Sequence, residues 1–233
     1  TITQFTVPKF IKDGTKYVKR EFLRSLFGCD ADKPNYKKMN FAALFFRQNK
    51  AKFLKEKMFI YYKEICELLN EFGIDSYINI RDRREVRKRD NIPVVTFELV
   101  IRPNNKNLFK FFSRVGYAYE DYKIQLAKLS AEYLRHKLHL IEAWQKKSKL
   151  VIAAVNNGAT IRRAAKEFEV TSDFVSNQIK GKDVHLPRNR FFDFNKWIME
   201  YKFNNLLVVN DIHEIKEVDE QLVTDITCQN DHN

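Results

Sequence analysis

A carboxylate at the end of an apolar helix is the first candidate for chemistry in this sequence. The segment from Phe22 to Asp30 is typical of a helix, carries small residues at Ser25 and Gly28, and ends on the acid. Small residues let a matching helix pack closely, and the negative C-terminal end of a helix stabilises a carboxylate poorly, so Asp30 would gain from a bound cation. Two such acids brought together could hold Mg²⁺ between two phosphates. The alternative is that Asp30 only terminates the helix in a turn.

Basic residues form the second candidate, a surface for a polyanion. The 233 residues include 42 Lys and Arg against 30 Asp and Glu, a net charge of +12, although residues 201–233 are acidic. Nucleic acid is the commonest polyanionic partner because each neutralised phosphate releases counterions. An ordinary solvated surface is the alternative. The densest run, residues 81–89, holds six basic residues in nine.

Two strands and four helices must position these groups. Residues 77–83 alternate polar or basic side chains with isoleucines, and residues 94–102 are apolar at the odd-numbered positions 95–101. This period of two is expected of half-buried strands. Helical spacing is found at 17–29, 51–72, 107–115 and 122–144. Residues 17–120 therefore predict an α+β fold, in which helices cover one face of an antiparallel sheet and the other face is polar and basic. A twisted β-ribbon of this kind fits the major groove of DNA.

A pair of short helices follows within residues 148–180 and resembles a helix-turn-helix. Ala165 is small enough for a close crossing, and Thr171 or Ser172 can cap the second helix. Glu169 replaces the usual turn glycine and would be strained at a positive φ. The predicted small core contains Ile161, Phe168, Val170, Val175 and Ile179. The outward-facing candidates for DNA contacts are Arg162, Arg163, Ser172, Ser176, Asn177 and Lys180. The alternative is a plain helical pair that contacts no ligand.

Over about residues 5–145 the chain resembles the LAGLIDADG homing endonucleases of archaeal-type inteins. The resemblance rests on residues 7–11 and 19–31, on 55–74 as the long second helix, and on 107–117 as the closing helix. It implies an αββαββα fold with a saddle-shaped sheet, and cleavage of double-stranded DNA with Mg²⁺. Asp30 matches the metal-binding, catalytic acid of the family, whereas Gly28 stands where the family has an earlier acid.

The same resemblance implies partners and DNA contacts. Since one such helix supplies one acid, the active site implies a second LAGLIDADG half, either upstream or in another chain. The DNA-binding residues predicted for the sheet and its basic hairpin are Tyr77, Asn79, Arg81, Arg83, Arg84, Arg87, Lys88, Arg89, Arg102 and Lys106.

The acidic tail resembles the last strands of an intein splicing domain of the Hint type. Residues 222–227 and 231–233 carry that likeness, which implies that Asp225 and His232 assist splicing and that an N-terminal intein segment is a partner. The sequence thus divides into an endonuclease domain (1–146), a helix-turn-helix-like DNA-binding module (147–200) and a β tail (201–233).

The functional prediction from the sequence is the C-terminal part of an intein that carries a DNA endonuclease. The alternative is a LAGLIDADG and helix-turn-helix regulator without catalysis, and a third is a basic α/β interaction domain. Three cysteines without a C-x-x-C pair favour a reducing, intracellular setting. The resemblance to archaeal-type inteins implies that this setting is the cytoplasm of a prokaryote. The sequence contains no apolar run long enough for a membrane span, no P-loop and no G-x-G-x-x-G.

Overall fold

Three long antiparallel strands form the framework of the protein. The computed structural model describes residues 5–82, 86–87, 91–184 and 191–201. The strands are β1 (Tyr36–Lys37), β2 (Asn40–Phe41), β3 (Leu44–Ala51), β4 (Ser76–Arg81), β5 (Val86–Arg87) and β6 (Ile92–Ile101). The main sheet has the order β3-β6-β4, β5 pairs with β6, and β1 and β2 form a separate pair.

Eight helices surround or follow this sheet among the described residues. They are α1 (Lys9–Lys12), α2 (Lys16–Asp30), α3 (Lys55–Glu71), α4 (Asn105–Arg114), α5 (Asp121–Asn156), α6 (Ile161–Glu167), α7 (Ser172–Ile179) and α8 (Phe194–Tyr201). No helix in this part of the chain is both long and apolar enough to cross a membrane. The predicted α+β class is confirmed. A saddle of the αββαββα type is not shown, since only the two-residue strands β1 and β2 precede β3.

An aromatic core joins the sheet to α2, α3 and α4. The ring of Phe46 in β3 lies 5.8 Å from Phe27 of α2 and 5.4 Å from Tyr62 of α3. Phe27 also lies 5.1 Å from Phe111 of α4, and Tyr62 lies 5.3 Å from Phe97 of β6. All five side chains are fully buried. Because these helices pack on one side of the sheet, the alternate residues of each strand point to the other side.

Helix α5 continues past the predicted helix end at residue 144. It runs for 36 residues and supplies Val151 to the core of the α6–α7 pair, where Ala164, Ala165 and Val175 are also buried. The described residues up to Ile198 belong to one compact unit. The predicted boundary at residue 146 therefore lies within α5, and the division into functional domains stays a prediction.

Candidate functional site

The strand register places a polar and aromatic surface on the side of the sheet away from the core. In β6, Glu98 pairs with Arg47 of β3 and Asn79 of β4, and the next row joins Thr96 to Asn49 and Arg81. We call this surface the outer sheet face; its members are Phe45, Arg47, Asn49, Tyr77, Asn79, Arg81, Thr96, Glu98 and Val100. The predicted polar face of residues 77–83 is thus confirmed for Tyr77, Asn79 and Arg81.

A buried carboxylate organises the outer sheet face. Glu98 is only 2% exposed, and its oxygens accept hydrogen bonds from Arg47 Nε at 3.0 Å and Asn79 Nδ2 at 2.8 Å. It also forms an ion pair with Arg81, whose Nε lies 2.9 Å from the second carboxylate oxygen. Burial raises the pKa of this carboxyl, but the bonds from Asn79 and Arg47 and the charges of both arginines outweigh it, so the pKa lies below its usual value. Glu98 is therefore ionised at neutral pH and fixes two guanidinium groups on two different strands.

Aromatic rings and edge carboxylates complete this surface. The Arg47 guanidinium carbon lies 3.9 Å from the centre of the Phe45 ring, and that of Arg102 lies 4.9 Å from the Tyr77 ring. Arg47 Nη1 also contacts Asp32 at 2.8 Å, and Arg102 Nε contacts Asp75 at 2.9 Å. The side chains of Arg47, Arg81 and Arg102 remain 41%, 43% and 53% exposed. The surface thus presents cations beside flat apolar groups.

Asp30 lies at the edge of the sheet beside β3. Its carboxylate accepts a hydrogen bond from Gln48 Nε2 at 3.2 Å. No group of three or more His, Cys, Asp or Glu side chains converges as a metal site within the described part of the chain. A single carboxylate suits Mg²⁺ only when water or phosphate oxygens supply most of the coordination sphere. The metal role of Asp30 stays a prediction.

The end of α2 is already neutralised by an ammonium group. Lys123 is 6% exposed, and its Nζ donates to the carbonyl oxygens of Gly28 at 2.9 Å and Ala31 at 3.1 Å. It also pairs with Glu120 at 3.0 Å. The helix end that the sequence analysis assigned to a bound cation therefore has a lysine of the same chain on its carbonyl groups.

The small residues of α2 are covered by the chain itself. A Cβ atom added to Gly28 would lie 2.1 Å from the Ala118 carbonyl oxygen, and the Ala118 amide donates to the Arg24 carbonyl at 3.1 Å. Ser25 Oγ and Tyr119 Oη form a hydrogen bond at 3.0 Å. The expectation that a second, matching helix packs against these residues is wrong, since residues 118 and 119 occupy that position.

The two short helices predicted within residues 148–180 are present as α6 and α7, whereas their identity as a DNA-binding helix-turn-helix stays a prediction. Thr160 and Thr171 cap the two helices, and Glu169 adopts φ 51 in the turn. Phe168, Val170 and Val175 join the small core as predicted, together with Val151 of α5. Ile161 and Ile179 are 40% and 45% exposed, so their predicted place in that core is wrong. The residues proposed to face outward are exposed or half-buried: Arg162, Arg163, Ser172, Ser176, Asn177 and Lys180.

The remaining predicted residues are scattered or lie outside the described part of the chain. Arg87 in β5 and Lys106 in α4 are exposed. Arg83, Arg84, Lys88 and Arg89 lie outside the described residues, as do Asp225, His232 and the predicted β tail. The sequence analysis did not single out Arg47, Glu98 or Lys123. The alternation of residues 44–51 could have revealed Arg47, but no local pattern reveals Lys123, which acts across 95 residues.

Similar proteins match this chain only over part of their own length. The chain is 37% identical over 232 residues to the replication factor C small subunit of Methanocaldococcus jannaschii, which covers 99% of the chain but 12% of that protein. The tRNA-splicing ligase RtcB of the same organism is 28% identical over 222 residues, covering 92% of the chain and 22% of the ligase. Its DNA-directed RNA polymerase subunit Rpo1N is 32% identical over 140 residues, covering 59% of the chain and 10% of the subunit.

Two further comparisons gave no match. No protein-family profile matches the sequence. No solved structure is significantly similar.

These findings contradict the endonuclease expectation. The relatives are named as a replication factor subunit, an RNA ligase and an RNA polymerase subunit, and none of these is the name of a LAGLIDADG endonuclease or an intein. The predicted DNA cleavage and splicing, and the alternative of an inactive LAGLIDADG regulator, are therefore wrong. The predicted partners fall with them: the DNA target of such an enzyme, a second endonuclease half and an N-terminal intein segment.

Proposed function

We propose that this chain is a nucleic-acid-binding module of a kind that occurs within larger proteins, with the outer sheet face as its contact surface for the sugar-phosphate backbone. One observation carries the proposal: buried Glu98 anchors Arg47 and Arg81, on strands on either side of β6, while both guanidinium groups stay exposed. A carboxylate with a purely stabilising role would not need to hold two guanidinium groups in positions that are exposed to solvent.

The chemistry of the anchored arginines suits phosphate. A guanidinium has five N–H donors, and its planar fork matches phosphate oxygens. Glu98 accepts a hydrogen bond from Arg47 Nε and pairs with Arg81 Nε, and these contacts hold both guanidinium groups in place, so later binding costs little conformational entropy. The Arg47–Asp32 pair is nearly half exposed, and such surface pairs contribute only about 0–1 kcal/mol, so phosphate can replace Asp32.

The aromatic rings on this face suit the base of a nucleotide. Tyr77 is 42% exposed and lies against Arg102, and Phe45 lies against Arg47. Aromatic and guanidinium planes stack on bases in proteins that bind nucleic acid without reading sequence. Like the predicted saddle, the outer sheet face would lie along a nucleic acid. Such a module would work inside the cell, as the cysteine content predicts.

The similar proteins support a module whose function is separate from the different activities of the whole proteins. Their names concern replication, tRNA splicing and transcription, yet the matched stretch covers only 10–22% of each. The stretch common to all three cannot by itself account for three different activities. A shared capacity to bind nucleic acid is compatible with all of them.

Fluorescence anisotropy with the 233-residue protein tests this proposal. A labelled DNA duplex and a labelled RNA hairpin would be titrated at several salt concentrations. The double variant Arg47→Gln/Arg81→Gln should weaken binding at least tenfold. It should also reduce the slope of log affinity against log salt by about 2, one for each lost phosphate contact.

Arg135→Gln is the matched control, because Arg135 is an exposed arginine of α5 that pairs with Glu132 in the same helix. Equal affinities for the double variant and the control would show that the outer sheet face is not the binding surface. The two probes show whether duplex DNA or folded RNA presents the preferred backbone.

The same experiment tests the prediction that Asp30 binds Mg²⁺. Asp30 would hold Mg²⁺ only together with phosphate oxygens of a bound nucleic acid. Adding Mg²⁺ should then raise the affinity of the unmodified protein but not that of Asp30→Asn. The same rise in both proteins would remove Asp30 as a ligand.

A second candidate is contact with protein subunits. The most similar of the three proteins named above is a subunit of a replication factor. Phe53, just before α3, and Phe59 and Ile60, in its first two turns, are exposed. Under this reading, Phe53→Ser/Ile60→Ser would abolish retention on immobilised replication factor C of M. jannaschii and leave anisotropy unchanged. Unchanged retention would reject this surface.

A further inference from the structure

A basic cavity lies between α2, the end of α4 and the start of α5. Its volume is about 230 Å³, and four of the side chains that line it are cationic: Arg20, Arg24, Arg114 and Lys128. No residue of the main sheet lines it, so it is separate from the outer sheet face. Nothing in the proposed function uses these side chains.

The cavity has an excess of positive charge. Glu21 is the carboxylate that pairs with Arg20 at 2.9 Å and with Arg24 at 3.1 Å, so one acid serves two guanidinium groups. Arg114 Nη1 donates to the Phe72 carbonyl at 2.7 Å, which fixes its side chain without neutralising it. Lys128 is exposed and has no carboxylate partner within the described residues. The carbonyl end of α4 is also in the wall, but a helix end carries only about half a charge.

We propose that this cavity binds a phosphate group. Its volume lies below the roughly 300–1,000 Å³ typical of sites for drug-sized ligands, which favours a compact anion or the phosphate end of a larger molecule. Arginine side chains bind phosphate through paired N–H groups, and a lysine adds a point charge. Gly116, at φ 69, turns the chain after α4 and puts no side chain into the cavity.

Two sources could supply that phosphate: a free small molecule or the end of a nucleic acid strand. Isothermal titration calorimetry at low ionic strength separates them. The probes are inorganic phosphate, a 5′-phosphorylated trinucleotide and the same trinucleotide without the phosphate. In the Arg47→Gln/Arg81→Gln protein, which lacks the anchored arginines of the outer sheet face, inorganic phosphate and the phosphorylated trinucleotide should both bind, and the unphosphorylated one should not. Tighter binding of the phosphorylated trinucleotide than of inorganic phosphate identifies a strand end as the source.

The variants Arg20→Met and Lys128→Met should each weaken phosphate binding about tenfold, since each removes a charge-assisted contact. Arg135→Met is the control, because Arg135 is comparably exposed and also pairs with a glutamate of its own helix. The Gly116 amide should shift in NMR spectra on adding phosphate. Absence of binding, or equal affinity in all three variants, would overturn the proposal. Arg47→Gln/Arg81→Gln should keep phosphate binding, so failure of the sheet-face proposal would leave this result unaffected.

Discussion

At the scale of single residues, Glu98 links stability to pH. Its pKa is lower in the folded protein than its ordinary value of 4.5, so its contribution is complete above that value and is lost as pH falls through the folded pKa. Glu98→Gln should lower the free energy of unfolding by about 2 kcal/mol at pH 7, because hydrogen bonds to a charged group are lost. The difference from the unmodified protein should shrink below about pH 4.

Urea unfolding at pH 7 and at pH 3 measures this effect. Glu132→Gln is the control, since Glu132 pairs with Arg135 on the surface of α5 and should change stability by less than about 0.5 kcal/mol. A Glu98→Gln deficit that is the same at both pH values would contradict the assignment of an ionised carboxylate.

The burial of Lys123 leads to a second prediction about stability. Lys123→Met should destabilise the protein by about 3 kcal/mol, because the carbonyl oxygens of Gly28 and Ala31 would lose a buried charged donor. Lys146→Met is the control, because Lys146 is an exposed lysine of the same helix. Thermal unfolding compares the two, and similar midpoints would show that the ammonium is dispensable at the end of α2.

At the scale of elements, the turn between α6 and α7 is strained at Glu169. A non-glycine residue at φ 51 costs roughly 1 kcal/mol relative to glycine, so Glu169→Gly should stabilise the protein by about that amount. Glu167→Gly is the matched control: the residue is equally exposed but helical, and the change should destabilise by about 0.5–1 kcal/mol. Denaturant unfolding would show opposite signs for the two variants; equal signs would contradict the strain.

The close approach of α2 to the segment after α4 leads to a prediction about the stability of a Gly28 variant. Gly28→Ala places a Cβ atom 2.1 Å from the Ala118 carbonyl oxygen, which is backbone and cannot rotate away, so a loss of about 2–3 kcal/mol is expected. Cys29→Ala changes the neighbouring exposed position of the same helix and should be nearly neutral. Equal thermal midpoints of the two variants would mean that the segment moves aside without cost.

At the scale of the whole molecule, the sequence predicts that this chain is not an ATPase of the P-loop class. The 233 residues contain no P-loop, and they correspond to 12% of the replication factor subunit. We therefore expect no ATP hydrolysis by the protein, with or without nucleic acid, in a phosphate-release assay under conditions where anisotropy shows binding. Hydrolysis that scales with protein concentration would assign an enzymatic role to this stretch.

Several elements and their faces can be predicted from the sequence alone, because periodicity is a local property of the chain. Alternation in residues 77–83 and 94–102 assigned Tyr77, Asn79 and Arg81 to the polar side of the sheet, and the register confirms it. The sequence predicts strain at Glu169 if the turn requires a positive φ, and its φ is 51. The predicted end of the helix at residue 144 was wrong, because packing against α6 and α7 favours a continuous α5.

The contacts between distant groups could not be predicted from the sequence and became visible in the folded chain. Arg47 and Glu98 are 51 residues apart, and Lys123 reaches Gly28 across 95, so their contacts depend on strand register and helix packing rather than on spacing. The likeness of residues 19–31 to an endonuclease helix predicted a helical partner and a metal for α2. In the folded chain, Ala118 covers its small residues and a lysine binds its carbonyl end, because burial favours the nearest complementary groups.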